Sequence, residues 1–127
     1  MDLEKLADAY LRRHREKRED DTWVLFKVDD MVRNEPSRAL ELTLILLKKT
    51  GDDDAVLAYV AAGPREDLLK MHGFQVIDRI EQEAGGDPRL QLALSGVWGI
   101  TRESPIFDRW YALMWRYGFA EGKRRAL

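Results

Sequence analysis

The chain has 127 residues, a formal net charge of −2, 45% hydrophobic and 35% charged residues, and no cysteine. One core commonly serves about 100–200 residues, so a single domain over 1–127 is expected, with 120–127 as a flexible tail. Balanced charge at this hydrophobicity argues against intrinsic disorder and against nucleic acid as a partner, and the missing thiols exclude a disulfide framework or thiolate metal site.

The first twenty residues hold six basic and six acidic side chains and no apolar signal core, so export by the usual route is not expected. The longest apolar run, Leu40 to Leu47, is interrupted by Glu41 and Thr43 and falls far short of the roughly 20 residues of a membrane span. A soluble, cytoplasmic protein with no membrane partner is the expectation.

Apolar residues Leu3, Leu6, Ala7, Tyr10 and Leu11 recur at three- and four-residue steps, which predicts a first amphipathic helix from Leu3 to about Glu19. Its cations, Arg12 to Arg18 with His14 among them, read as a solvated face with Arg12–Glu16 as an i,i+4 pair. Asp21 or Thr22 can cap a second helix carrying Trp23, Val24, Val28, Met31 and Val32, ending near Asn34 before Pro36. On propensity alone Trp23 to Val28 also suits a strand.

Pro36 opens a third helix in which Ala39, Leu40, Leu42, Leu44, Leu46 and Leu47 cover roughly 200° of arc, so most of its sides need cover. This is the expected central helix. Lys48 and Lys49 suit its C-terminus, Gly51 ends it, and Asp52, Asp53 and Asp54 suit the next N-terminus.

Three short helices follow, from about Asp54 to Ala62, Pro64 to His72 and Phe74 to Ala84, with Gly63, Gly73 and Gly85-Gly86 as stops. Asp87 caps a seventh helix carrying Leu90, Ala93, Leu94, Val97 and Trp98. Ser104-Pro105 starts an eighth, ending near Gly118. All four prolines thus read as helix starts. The expected class is all-α: about eight short helices in a compact bundle, or a short HEAT-like stack suggested by the similarity of Asn34-Glu35-Pro36 to Gly86-Asp87-Pro88.

No metal-ligand cluster, nucleophile beside a base or phosphate-cradling loop is apparent, so no cofactor, no metal and no catalytic residue is expected. His72, near Glu66 and Asp67, shares its helix face with Leu68 and Leu69 and reads as a helix-end histidine beside the core. Lys123 to Arg125 reads as a frayed tail. In the last helix Ile106, Phe107, Trp110, Tyr111, Leu113, Met114, Trp115 and Tyr117 occupy roughly 200° of arc, more than one core contact needs. The first helix folding back is the expected cover, with an interface at Trp115 as the alternative.

Ala61 to Leu69, His72-Gly73, Ile77 to Glu81, Asp87-Pro88 and Leu94 to Trp98 together resemble an uncharacterised bacterial family of small helical proteins, a domain-of-unknown-function group. The resemblance spans about Trp23 to Trp115. Arg65 stands where that pattern usually has leucine. The resemblance implies an all-helical bacterial protein and no established activity.

The functional expectation is a non-enzymatic interaction protein of the immunity or antitoxin type, inhibiting a toxin through an acidic face of Asp52, Asp53, Asp54, Glu66, Asp67, Glu81 and Glu83, with Trp115 as a further contact. Such a face suits a basic partner. The alternative is a structural adaptor that forms a homodimer through its aromatic C-terminal helix.

Overall fold

The computed structural model describes residues 2–94, 96–97 and 99–117. Among them the chain is all-helical, with α1 (Leu3–Glu16), α2 (Trp23–Asn34), α3 (Pro36–Lys49), α4 (Asp54–Val60), α5 (Glu66–Gly86), α6 (Pro88–Leu94) and α7 (Phe107–Tyr117). The expectations for Trp98, for a helix end at Gly118 and for the tail at 120–127, with its Lys123 to Arg125 cluster, lie outside the described residues.

Asp2 caps α1 by accepting the Glu4 N–H at 2.9 Å, and Lys17 ends it in the left-handed conformation at φ 55°. The helix therefore stops three residues short of Glu19. A 3₁₀ turn, Glu19–Asp21, leads into α2, which makes no side-chain cap bond at Thr22. Asp21 is no cap either: it is buried and holds Arg12 through two bonds, at 2.9 and 2.8 Å. Arg12 is thus committed to Asp21 rather than to Glu16. Trp23 to Val28, open to a strand reading, is the first half of α2.

Pro36 starts α3 as expected, and α3 packs against α1, α2, α4, α5 and α6. A stacked solenoid would confine each helix pair to its neighbours, so this is a compact arrangement around one central helix. Thr43 is buried where Leu44 was expected, because its hydroxyl donates to the Leu40 carbonyl at 2.8 Å and so needs no water. Gly51, at φ 57°, makes the left-handed turn after α3, and Asp53 caps α4 by accepting the Val56 N–H at 3.1 Å.

After α4 the helix is broken at Gly63, as expected. The chain continues through a π turn, Ala61–Arg65, kinked at Gly63 with φ −98° and ψ −107°. Pro64 has no N–H to give to an α-helical ladder, and the wider turn absorbs that loss. The two helices expected over 64–84 meet at a break at His72, with φ −132° and ψ 31°, and are described together as α5. Gly73 directly follows this break. It is the place where Ile106 packs on the helix, so closely that a Cβ there would lie 2.6 Å from the Ile106 side chain.

Pro88 begins α6, capped by Asp87, which accepts the Arg89 N–H at 2.8 Å. Pro105 instead lies in a turn, and α7 begins at Phe107. Helix α7 rests on α5 and α6, burying Trp110, Leu113 and Met114, whereas α1 packs on α2 and α3. The expected cover of the last helix by the first is thus replaced by α5 and α6. No described helix is long and apolar enough to cross a membrane.

Candidate functional site

The π turn aims the start of α5 at the gap between α1 and α2. There Tyr10, Leu25, Val28, Asp29, Val32, Gly63, Pro64 and Asp67 line an open cleft of about 160 Å³. Amphipathic spacing supplies its walls: Val28 and Val32 are one turn apart on α2, and Leu25 is one turn before Val28. Tyr10 is almost wholly buried, with its ring 5.9 Å from that of Tyr59. Burial raises the Tyr10 phenol above its usual range, with Tyr59 and Asp67 adding to the effect.

Asp67 is half-buried in this cleft and makes no hydrogen bond or ion pair with another described residue. Burial pushes its carboxyl above the usual aspartate value, Glu66 and Asp29 add to the rise, and Lys70 and Arg33 oppose it. Asp29, at the rim, is itself paired with Arg33 at 3.3 Å. The folded state therefore holds the Asp67 proton more tightly than the unfolded chain does. Ionised Asp67 opposes folding above its raised pKa, and the penalty disappears as pH falls through that pKa towards the unfolded value. Asp67→Asn should accordingly raise Tm at pH 7, by no more than about 1 kcal/mol of stability given solvent screening, and leave it unchanged at pH 3. Paired thermal melts at the two pH values test this; a lower Tm at pH 7 would contradict it.

The other expected contact residues are dispersed. Asp52 is exposed, Asp53 is the α4 cap, and Asp54 pairs with Arg89. Glu66 accepts the Gly99 N–H at 3.0 Å and ties the segment before α7 to α5. Glu81 meets Arg109 at 3.3 Å and Arg116 at 3.9 Å. Glu83 is not on a surface at all: its buried carboxylate contacts Arg65 at 3.0 Å and Arg79 at 3.3 Å. Asp54, Glu66, Glu81 and Glu83 thus each meet different neighbours.

Arg65 is 1% exposed and also donates to the Thr43 hydroxyl at 3.3 Å. Burial lowers its pKa and Glu83 opposes that shift. The pair ties the turn before α5 to the later part of α5, and the Thr43 bond ties it to α3. His72 is equally occupied, donating from Nε2 to the Val32 carbonyl at 2.8 Å across the α5 kink. His14 is less solvated than expected: it stacks on Tyr59 with ring centroids 3.9 Å apart, and burial lowers its pKa, helped by Lys17 and Arg15.

Two exposed apolar regions were not foreseen. Met71 and Phe74, the latter 63% exposed, flank the His72 kink beside a groove of about 230 Å³. Phe26 projects from α2. Trp115, which was foreseen, is 40% exposed and lies edge-on to Tyr111 at 6.4 Å, with Phe107 a further 5.9 Å from Tyr111 along α7. No group of three or more His, Cys, Asp or Glu residues able to hold a metal occurs among the described residues.

Kinked helices around α3, with a carboxylate in a small side cleft that makes no ion pair with a described residue, define the class as an all-helical protein with one core among the described residues. Within that class the chain belongs to a family of unknown function, DUF6869, whose model matches residues 12–117. No curated protein and no solved structure matches it.

Proposed function

We propose that the protein is a non-enzymatic protein-binding module of the bacterial cytoplasm, an immunity or antitoxin-type inhibitor that uses the Asp67 cleft as its principal contact. One observation carries this reading: Asp67 is half-buried, without a described partner, between apolar walls. A carboxylate so placed is unfavourable in the free protein and is relieved when a partner supplies the missing contact. At about 160 Å³ the cleft is well below the roughly 300–1,000 Å³ typical of small-molecule sites, which favours a side chain of another protein as the occupant.

The expected copurifying species is a single small basic protein at stoichiometric ratio, identified by native mass spectrometry of tagged protein expressed in its own bacterium. Asp67→Ala should weaken that capture while Asp52→Ala does not. Unchanged capture by the Asp67 variant, with folding intact, removes the cleft from the interface.

A second reading, a homodimer or structural adaptor, is favoured by the Phe107–Tyr111–Trp115 stripe, whose last member is exposed. A concentration-dependent dimer in sedimentation equilibrium, lost in Trp115→Ala, would support it.

A further inference from the structure

We infer that the Asp67 cleft is a receptor for one cationic side chain, an arginine or lysine inserted by the partner protein with its alkyl stem along α2 and its charge on the Asp67 carboxylate. The inference rests on the protein-binding reading above and specifies the chemistry that reading leaves open.

The walls and the end of the cleft ask for different halves of one ligand. Leu25, Val28 and Val32 form an apolar wall from α2, and Pro64 with the buried Tyr10 ring closes the other side. Such surfaces suit methylenes, which arginine and lysine bury along apolar ground while keeping the charged head at a polar group. The polar group here is Asp67, which makes no ion pair with a described residue, although Lys70 and Arg33 ease its charge from a distance. Asp29 adds a second carboxylate at the rim, where its exposed pair with Arg33 is 3.3 Å long and readily exchanged. An acidic ligand would meet two carboxylates, and a purely apolar one would strip water from Asp67 without replacing it. A guanidinium or ammonium on a three- or four-carbon stem satisfies both requirements.

The cleft differs from the other carboxylate sites in this respect. Glu81, Glu83 and Asp54 already hold arginines of this chain, at Arg109, Arg65 and Arg89 respectively. Asp67 has the same chemistry and a walled space beside it, but no arginine or lysine among the described residues forms an ion pair with it. The π turn contributes by kinking the chain at Gly63, so that the cleft floor is backbone and proline ring rather than a longer side chain.

The test uses the full chain and two side-chain mimics, n-propylguanidinium and n-butylammonium chloride, with n-butanol and sodium chloride as controls. Asp67 carboxyl and cleft amide resonances, at Val32 and Gly63, are followed by NMR. Saturable shifts with the two cations, and none with n-butanol or salt, are expected. In Asp67→Asn the apparent affinity should fall by about tenfold or more. Non-saturating shifts, equal response to n-butanol, or unchanged binding by Asp67→Asn would each overturn the inference. Because the titration needs no partner, its failure is distinguishable from failure of partner capture: capture that still depends on Asp67 while the mimics do not bind leaves the protein-binding reading standing without this ligand chemistry.

Discussion

Glu83→Ala should cost about 3–5 kcal/mol of stability, because it leaves the Arg65 guanidinium charged, buried and without its counter-ion. Most domains have only about 5–15 kcal/mol in total, so the variant should be partly unfolded at 37 °C. Arg65 is 1% exposed, and once Glu83 is gone its remaining described bond is to the neutral Thr43 hydroxyl at 3.3 Å. It cannot escape by losing its proton, since an arginine stays protonated in a protein. The reverse change, Arg65→Leu, should cost less, because Glu83 retains Arg79 at 3.3 Å and Arg79 reaches towards solvent, where it also meets Glu41 at 2.8 Å.

The double variant Arg65→Leu/Glu83→Leu removes both charges and should recover most or all of the loss, since well-packed apolar replacements of buried pairs are often neutral or stabilising. Urea unfolding followed by far-UV circular dichroism measures all three. A Glu83→Ala midpoint within about 1 kcal/mol of the parent would show that water or Arg79 compensates, and the core-pair account would fail.

Gly73→Ala is the second large effect, and here two terms of opposite sign compete. Alanine in a helix gains about 1 kcal/mol over glycine. The new methyl, however, would lie 2.6, 2.9 and 3.1 Å from three atoms of Ile106, a residue only 2% exposed and held at the entry to α7. Overpacking of this kind costs about 1–3 kcal/mol, and three short contacts with a buried β-branched side chain place it at the upper end. A net loss of about 2 kcal/mol is therefore expected, with a changed near-UV signal as Ile106 and α7 shift off α5. Ile106→Ala alone should cost about 2–5 kcal/mol by leaving a cavity, but the added methyl of Gly73→Ala partly fills it. In a double-mutant cycle the pair should thus lose clearly less than the sum of the singles. Additive losses would mean that Gly73 matters for its backbone rather than for the approach of Ile106.

Local chemistry was legible where a single turn of chain contains both partners. Asp53 and Asp87 cap their helices, Pro36 and Pro88 open theirs, and Gly51 makes the left-handed turn, because each depends on residues no more than four positions apart. The same reasoning misread Asp21, which looked like a cap and instead anchors Arg12, nine residues earlier. The breaks expected at Gly63 and at His72-Gly73 are present as kinks at Gly63 and His72. What local reasoning did not show at Gly73 is that the missing side chain also admits a distant neighbour, Ile106.

The candidate site shows the same division. The Glu66-Asp67 pair was visible as acids in a first helical turn, a pattern common to caps and contacts alike. Folding separates them: Glu66 turns to the Gly99 N–H, and Asp67 turns into the cleft. Glu83 and Glu81, two residues apart, part in the same way, one into the core and one to Arg109 and Arg116. Tyr10, Val28 and Val32 carried no sign of a site, since their spacing is that of any amphipathic helix.

The sequence by itself determined the all-helical class, the central place of α3 and the position of most helix ends, because hydrophobic period, capping and proline geometry act within one or two turns of chain. Tertiary structure alone decided that Ile106 packs on Gly73, that Arg65 is buried, and that Asp67 lies in a walled cleft without an ion-pair partner among the described residues. Those outcomes depend on which side chains from distant helices arrive beside one another, and on the penalty for a charge that meets no counter-charge there.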